Sequence, residues 1–186
     1  MPGADAGNSR AMSDQTKPTL DKDTIAFAGR VFDMARGGQT DALMELLTLG
    51  LPPNLRNDKG DTLVMLAAYH GRADTVHQLL EAGADPEIAN DRGQTPLAAA
   101  CFKGDTAAVE ALLERVDVNA HSGDGRTALM IAAMFNRTEI MELLLRRGAD
   151  PALQDVTGMT GRALAEAMGA CDTAALLAAW ENDGQG

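Results

Sequence analysis

The chain has 186 residues, 45% of them hydrophobic but only 3% aromatic, so alanine, leucine and methionine carry its burial, a composition suited to packed helices. Its 27 acidic residues against 16 basic ones give a formal charge of −11, which repels polyphosphate backbones and anionic membrane surfaces, so neither nucleic acid nor a membrane is expected as a partner. No apolar run reaches the length of a membrane span, residues 1–20 lack the apolar segment of a signal peptide, and two cysteines make no disulfide framework; a cytoplasmic protein is expected.

Residues 1–19 are rich in Gly, Ala, Asp, Ser and Pro without periodicity, and are expected to be disordered because they bury too little apolar surface to offset their ordering entropy. Over 20–36 the set Ile25, Ala28, Val31, Phe32 and Ala35 repeats at helical spacing, with Asp21 and Asp23 suited to the positive end of the helix dipole. Gly37-Gly38 stops that helix, and a second over 40–49 offers Leu43, Leu46 and Leu47 before Gly50 and Pro52-Pro53 end it. A turn–helix–reversal–helix pattern then begins. In 57–89, Asp58-Lys59-Gly60-Asp61 predicts a turn, Thr62 an N-cap, and Gly71 the reversal between an inner helix ending near Tyr69 and an outer helix over 74–81. Residues 90–121 repeat it with Thr95-Pro96, a cap followed by a proline where a missing N–H costs nothing, and 122–154 repeat it with Asn136 at the reversal, a residue that tolerates left-handed backbone. The stretch 155–180 is the most divergent. Arg162 stands there at the phase of the apolar Leu97 and Leu129, which suits an end that nothing further covers, with Trp180 closing the apolar flank and 181–186 fraying.

The pattern is periodic. Gly60, Gly93, Gly125 and Gly158 each precede a threonine by two residues and are spaced 33, 32 and 33 apart, and Leu79-Leu80, Leu112-Leu113 and Leu144-Leu145 recur at one phase. The unit, most complete in Gly93–Leu97, Gly104, Val109, Leu112-Leu113 and the Gly83-Ala84-Asp85 and Gly148-Ala149-Asp150 of its neighbours, resembles the ankyrin repeat. Two departures stand out: the histidine usual after Pro-Leu is Met65, Ala98 and Met130, and Glu114-Arg115-Val116-Asp117 replaces Gly-Ala-Asp in the third unit. The resemblance implies an all-α ankyrin-repeat solenoid of stacked helix-turn-helix units with short β-hairpin-like turns. Its divisions would be a capping unit over 20–56, repeats over 57–89, 90–121 and 122–154, and a C-terminal capping unit over 155–180, in a monomer.

Chemistry finds little support in the residues. No nucleophile elbow, phosphate loop or dinucleotide fingerprint occurs. His70, His77 and His121 fall on separate elements, Asp85, Asp117 and Asp150 recur where an aspartate caps its own backbone, and Cys101 occupies the phase of Ala68 and Ala133 as an apolar filler. Most methionines, Met34, Met44, Met65, Met130, Met141 and Met168 among them, sit at core phases. We expect no enzyme, no cofactor and no metal.

What differs between units is more informative. Three of the six aromatic residues, Tyr69, Phe102 and Phe135, recur at intervals of 33 at the ends of the inner helices, beside His70, Lys103 and Met134. In the family this place, together with the hairpin tips, lines a concave surface that grips partners. The resemblance therefore implies a protein-binding face formed by those six residues and by the tips Asp58, Lys59, Asp61, Asp91, Arg92, Gln94, Asp124 and Arg126. A non-catalytic scaffold for another protein follows as the leading expectation. An inhibitor or immunity-type protein occluding an enzyme is the alternative, and a small-ligand or enzymatic module is third.

Overall fold

A computed structural model describes residues 21–183. The expected disorder of 1–19 lies outside the described residues, which form ten helices and no strand. They run as pairs: α1 (Lys22–Gly37) and α2 (Thr40–Thr48), α3 (Leu63–Tyr69) and α4 (Ala73–Glu81), α5 (Pro96–Lys103) and α6 (Thr106–Leu113), α7 (Ala128–Met134) and α8 (Thr138–Arg146), α9 (Gly161–Met168) and α10 (Cys171–Asp183). The odd-numbered helices stack on one another as an inner layer and the even-numbered ones as an outer layer, giving an all-α repeat solenoid.

Each inner helix of the four later pairs starts the same way. Thr62, Thr95, Thr127 and Thr160 hold extended backbone and their hydroxyls accept the N–H of Met65, Ala98, Met130 and Ala163, satisfying a donor that the first helical turn leaves without a partner. Isolated antiparallel bridges, Arg56 to Thr62, His121 to Thr127 and Gln154 to Thr160, close the turns before three of these caps, so the hairpins stay too short to count as strands.

The core runs along the stack between the layers. Leu79, Leu112, Leu144 and Leu177 from the outer helices and Leu66, Leu97, Leu129 and Leu164 from the inner ones are buried, with alanines such as Ala68, Ala100 and Ala133 where neighbouring inner helices meet. Small residues there let the helices approach closely. Cys101 is completely buried at the phase of Ala68 and Ala133, and burial pushes its thiol up to about 12, so it behaves as the small apolar residue its register demands. Asn136 takes the left-handed conformation foreseen for it, at φ 55°. The third unit does without a left-handed glycine after its outer helix; Glu114 ends α6 in right-handed helical backbone instead.

Several expectations need correction. Ile25 is 57% exposed, because α1 extends about two turns beyond the other inner helices; Ala28 is partly buried against the core and full burial begins at Val31. Met168, at the end of the last inner helix, is exposed rather than core. Trp180 is 43% exposed rather than closing the apolar flank; Leu177 is the fully buried residue of α10, and Arg162 reaches from α9 to Glu181 on α10. Fraying was expected over 181–186; Glu181 to Asp183 continue α10, and 184–186 lie outside the described residues.

Candidate functional site

Three of the four tips are built by one recurring acceptor, three residues before the turn glycine; in the remaining one Ser122 donates its hydroxyl to Asp124 and to the Arg126 carbonyl, and Asp124 Oδ1 accepts the Arg126 N–H. Asn57 Oδ1 accepts the N–H of Lys59 and of Asp61, both at 2.9 Å, Asn90 Oδ1 accepts those of Arg92 and Gln94, both at 3.0 Å, and Asp155 Oδ1 accepts those of Thr157 and Met159 at 2.8 and 3.1 Å. A short polar side chain that satisfies two turn amides fixes the loop without a sheet. Successive tips are then joined by single backbone bonds, Asp91 N–H to Lys59 O, Gly123 N–H to Gly93 O, and Val156 N–H to Asp124 O. The approach is close enough that a Cβ on Gly125, itself at φ 78°, would meet the Val156 nitrogen at 3.0 Å. Asn57, Asn90 and Asp155 played no part in the sequence reading, although their shared phase was visible there.

The other edge is set at the C-terminal ends of the inner helices. Tyr69 and Phe102 stack with centroids 5.7 Å apart and planes 12° from parallel, and Phe102 meets Phe135 edge to face at 4.6 Å and 88°. The rings follow the spacing of the stack. Arg137 Nη2 and Nε donate to the Phe102 carbonyl and Arg72 Nε donates to that of Arg36, so a cation from the next unit closes each of these helix ends, where the dipole favours it. Tyr69 keeps 47% and Phe102 37% of their surface exposed, with Phe135 less so. His70 lies edge-on to Tyr69 at 5.4 Å; burial first, then the charges of Arg36, Arg72 and Lys103, hold its imidazole below its usual value.

Between these edges runs a groove of about 600 Å³. Of the residues singled out in the sequence, Tyr69, His70, Phe102, Met134 and Phe135 line it from the helix ends, and Asp58, Lys59, Asp61, Arg92, Gln94, Asp124 and Arg126 line it from the tips. Asp91 and Lys103 do not. Asp91 turns to Arg56, 3.2 Å away, in a salt bridge between tips, and the Lys103 side chain lies over Gly71. Arg36, at the corresponding end of α1, lines it too, and Asn57, Asn90, Ser122 and Ile131 join the lining without having been foreseen. Asp124 sits below the usual carboxylate range: burial raises it, but the Ser122 hydroxyl, the Arg126 N–H and the Arg126 charge together outweigh that.

Among the described residues, no group of three or more His, Cys, Asp or Glu side chains is placed to hold a metal ion, and no helix is long and apolar enough to cross a membrane. A sequence profile for ankyrin repeats matches the chain three times, over residues 31–122, 64–155 and 104–183. The chain is also similar to an ankyrin repeat protein of Pseudomonas aeruginosa, 54% identical over 59 residues, which are 32% of this chain and 34% of that protein. It is 47% identical over 53 residues to potassium channel AKT3 of Oryza sativa, or 28% of this chain and 6% of the channel. The chain thus spans about a third or less of the length of these relatives.

Proposed function

Because the chain belongs to the ankyrin-repeat family, whose repeats generally serve protein–protein interaction, we propose that it is a non-catalytic scaffold that grips a protein partner in the groove between its tips and its inner-helix ends. The observation that carries this is the row Tyr69–Phe102–Phe135. In a chain that is 3% aromatic, two of these rings are left more than a third exposed on one concave face instead of being used in the core. Aromatic side chains flanked by cations are the composition of interface hot spots, since they contribute large apolar contact at small conformational cost.

The site residues named from the sequence belong to this proposal, with Asp91 and Lys103 assigned to support rather than to contact. The test is a pull-down from native cytosol with the full chain and with a Tyr69→Ala, Phe102→Ala, Phe135→Ala variant, compared by mass spectrometry. A protein captured in proportion by the native chain and lost with the variant is the expected result. A cofactor or metabolite bound stoichiometrically to the purified chain would displace the scaffold reading in favour of a ligand-binding module.

A further inference from the structure

The groove runs against the charge of the molecule that carries it. The chain as a whole is at −11, yet four cations, Arg36, Lys59, Arg92 and Arg126, line the groove against three carboxylates, Asp58, Asp61 and Asp124. Two of those carboxylates and two of the cations are already engaged, Arg36 with Asp33 at 2.6 Å and Arg126 with Asp124 and Asp155, which leaves Lys59 and Arg92 against Asp58. Asp124 pairs with Arg126 at 3.3 Å, and Asp61 accepts the amides of Asn57 and Asn90 at 3.1 and 2.8 Å. Lys59 and Arg92, on successive tips, have no carboxylate within 4.0 Å among the described residues. The opposite edge is cationic as well, since Arg36, Arg72 and Lys103 surround His70. An inner helix of seven or eight residues separates the two edges, roughly 10 Å at the helical rise, and the exposed rings of Tyr69 and Phe102 stand at the helix-end edge beside these cations.

Resting on the groove being the binding face, we propose that its occupant is an acidic segment of a partner protein, with apolar or aromatic side chains covering the Tyr69–Phe102 stack and carboxylates reaching Lys59 and Arg92. Cations left unpaired on a protein this acidic contribute little to its own fold, whereas complementary charge steers a partner to the face and fixes its register. The same cations would repel a basic segment, so the arrangement selects as well as attracts. Cations beside stacked rings are also what a single-stranded nucleic acid uses, but the remaining acidic surface opposes a polyphosphate along its whole length while sparing a short peptide that stays within the groove.

The experiment selects a random displayed-peptide library on the full chain at pH 7.5, where His70 is neutral, and titrates the recovered peptides by fluorescence anisotropy, with oligouridine as a second probe. Peptides rich in Asp and Glu around an apolar centre are expected. Their affinity should fall on the order of tenfold with the double change Lys59→Glu, Arg92→Glu, and likewise with Tyr69→Ala, and should weaken as salt is raised. All three substituted side chains are exposed, so the helical signal should persist. Recovered peptides without acidic bias that still depend on Tyr69 would overturn the acidic occupant and leave the groove standing. Acidic peptides indifferent to Tyr69→Ala would remove the groove itself. Recovery of no peptide, or oligouridine binding that the charge reversal abolishes, would overturn the inference.

Discussion

The carboxylate of Asp155 faces the guanidinium of Arg126 across the last tip junction, Oδ2 to Nε 3.6 Å, while its Oδ1 is occupied by the backbone N–H groups of Met159 and Thr157 and the Thr157 hydroxyl. That spacing is an ion pair without a hydrogen bond, and it leaves the buried Arg126 Nε with no partner atom. Asp155 therefore builds its own turn as Asn57 and Asn90 build theirs, and in addition ties that turn to the preceding one.

The pH dependence follows from that double duty. The Thr157 hydroxyl is the main cause holding the Asp155 carboxyl below its ordinary value of 3.8, with the Met159 and Thr157 amides and Arg126 adding to it against an opposing effect of burial. A carboxyl lower in the folded than in the unfolded state adds stability that is complete above the unfolded value and disappears as pH falls through the folded one. Asp155→Asn keeps the turn acceptor and loses the charge. Its urea midpoint should lie below the native one at pH 6, and the gap should begin to close below about pH 4, where the unfolded carboxyl takes up its proton, and vanish only as pH falls through the lower folded value. Parallel midpoints across the range would show that the ion pair adds nothing.

Leu112 is fully buried in the middle outer helix, with α4 and α8 packed on either side of α6. Leu112→Ala should cost about 2–5 kcal/mol, because stacked neighbours on both flanks limit collapse of the cavity. Equilibrium urea unfolding measures this directly, and an unchanged midpoint would mean that the layer is not held at this point.

The last pair should behave as a lid on the stack. Leu177 is completely buried, and Thr173 Oγ1 donates 2.7 Å to the Ala133 carbonyl, which binds α10 back onto the unit before it. Deleting 155–186 strips the polar cover from the apolar flank of α7 and α8, so light scattering and size exclusion should report association. A soluble, monomeric truncation of equal stability would deny the last pair this role.

Periodicity made the stack, the threonine caps and the buried leucines legible, because each is a local requirement repeated in every unit. The ends were harder to read for a physical reason. Ile25 has the right spacing for a core face, but spacing cannot reveal that no described residue covers it, and Trp180 looks like a plug although Leu177 is the residue of α10 that is fully buried. Most of the groove lining was readable from the aromatic interval and the turn glycines. Asp91 and Lys103 were not separable from the other tip and helix-end residues by register, since what removes them is a cross-unit partner, Arg56 in one case and the surface over Gly71 in the other.

Asn136 illustrates the same gap and carries its own prediction. Its left-handed backbone is where glycine would be free of strain, so register alone suggests that Asn136→Gly stabilises. The side chain, however, donates from Nδ2 to Asp172 at 2.8 Å and accepts the Thr173 N–H at 3.2 Å, joining the reversal of one unit to the outer helix of the next. Losing both bonds should outweigh the relief of strain, leaving Asn136→Gly about 1 kcal/mol less stable by urea unfolding. Increased stability would show that the tether is worth less than the backbone strain.

The aromatic row can be separated from the fold by choosing which ring to remove. Phe102 and Tyr69 each make two aromatic contacts, Phe102 with Tyr69 and Phe135 and Tyr69 with Phe102 and His70, so either truncation gives up about 1–3 kcal/mol of aromatic contact and exposure is what separates them. Tyr69 is the most exposed of the three, so its loss should move the unfolding midpoint least. If the row is a binding surface, the order on a captured partner need not follow the order on stability: Tyr69→Ala should weaken binding by roughly 2 kcal/mol, well over tenfold in Kd, while leaving the helical signal intact. Should affinity fall only in proportion to stability across the three single variants, the rings serve the stack, and the partner must be sought on another face.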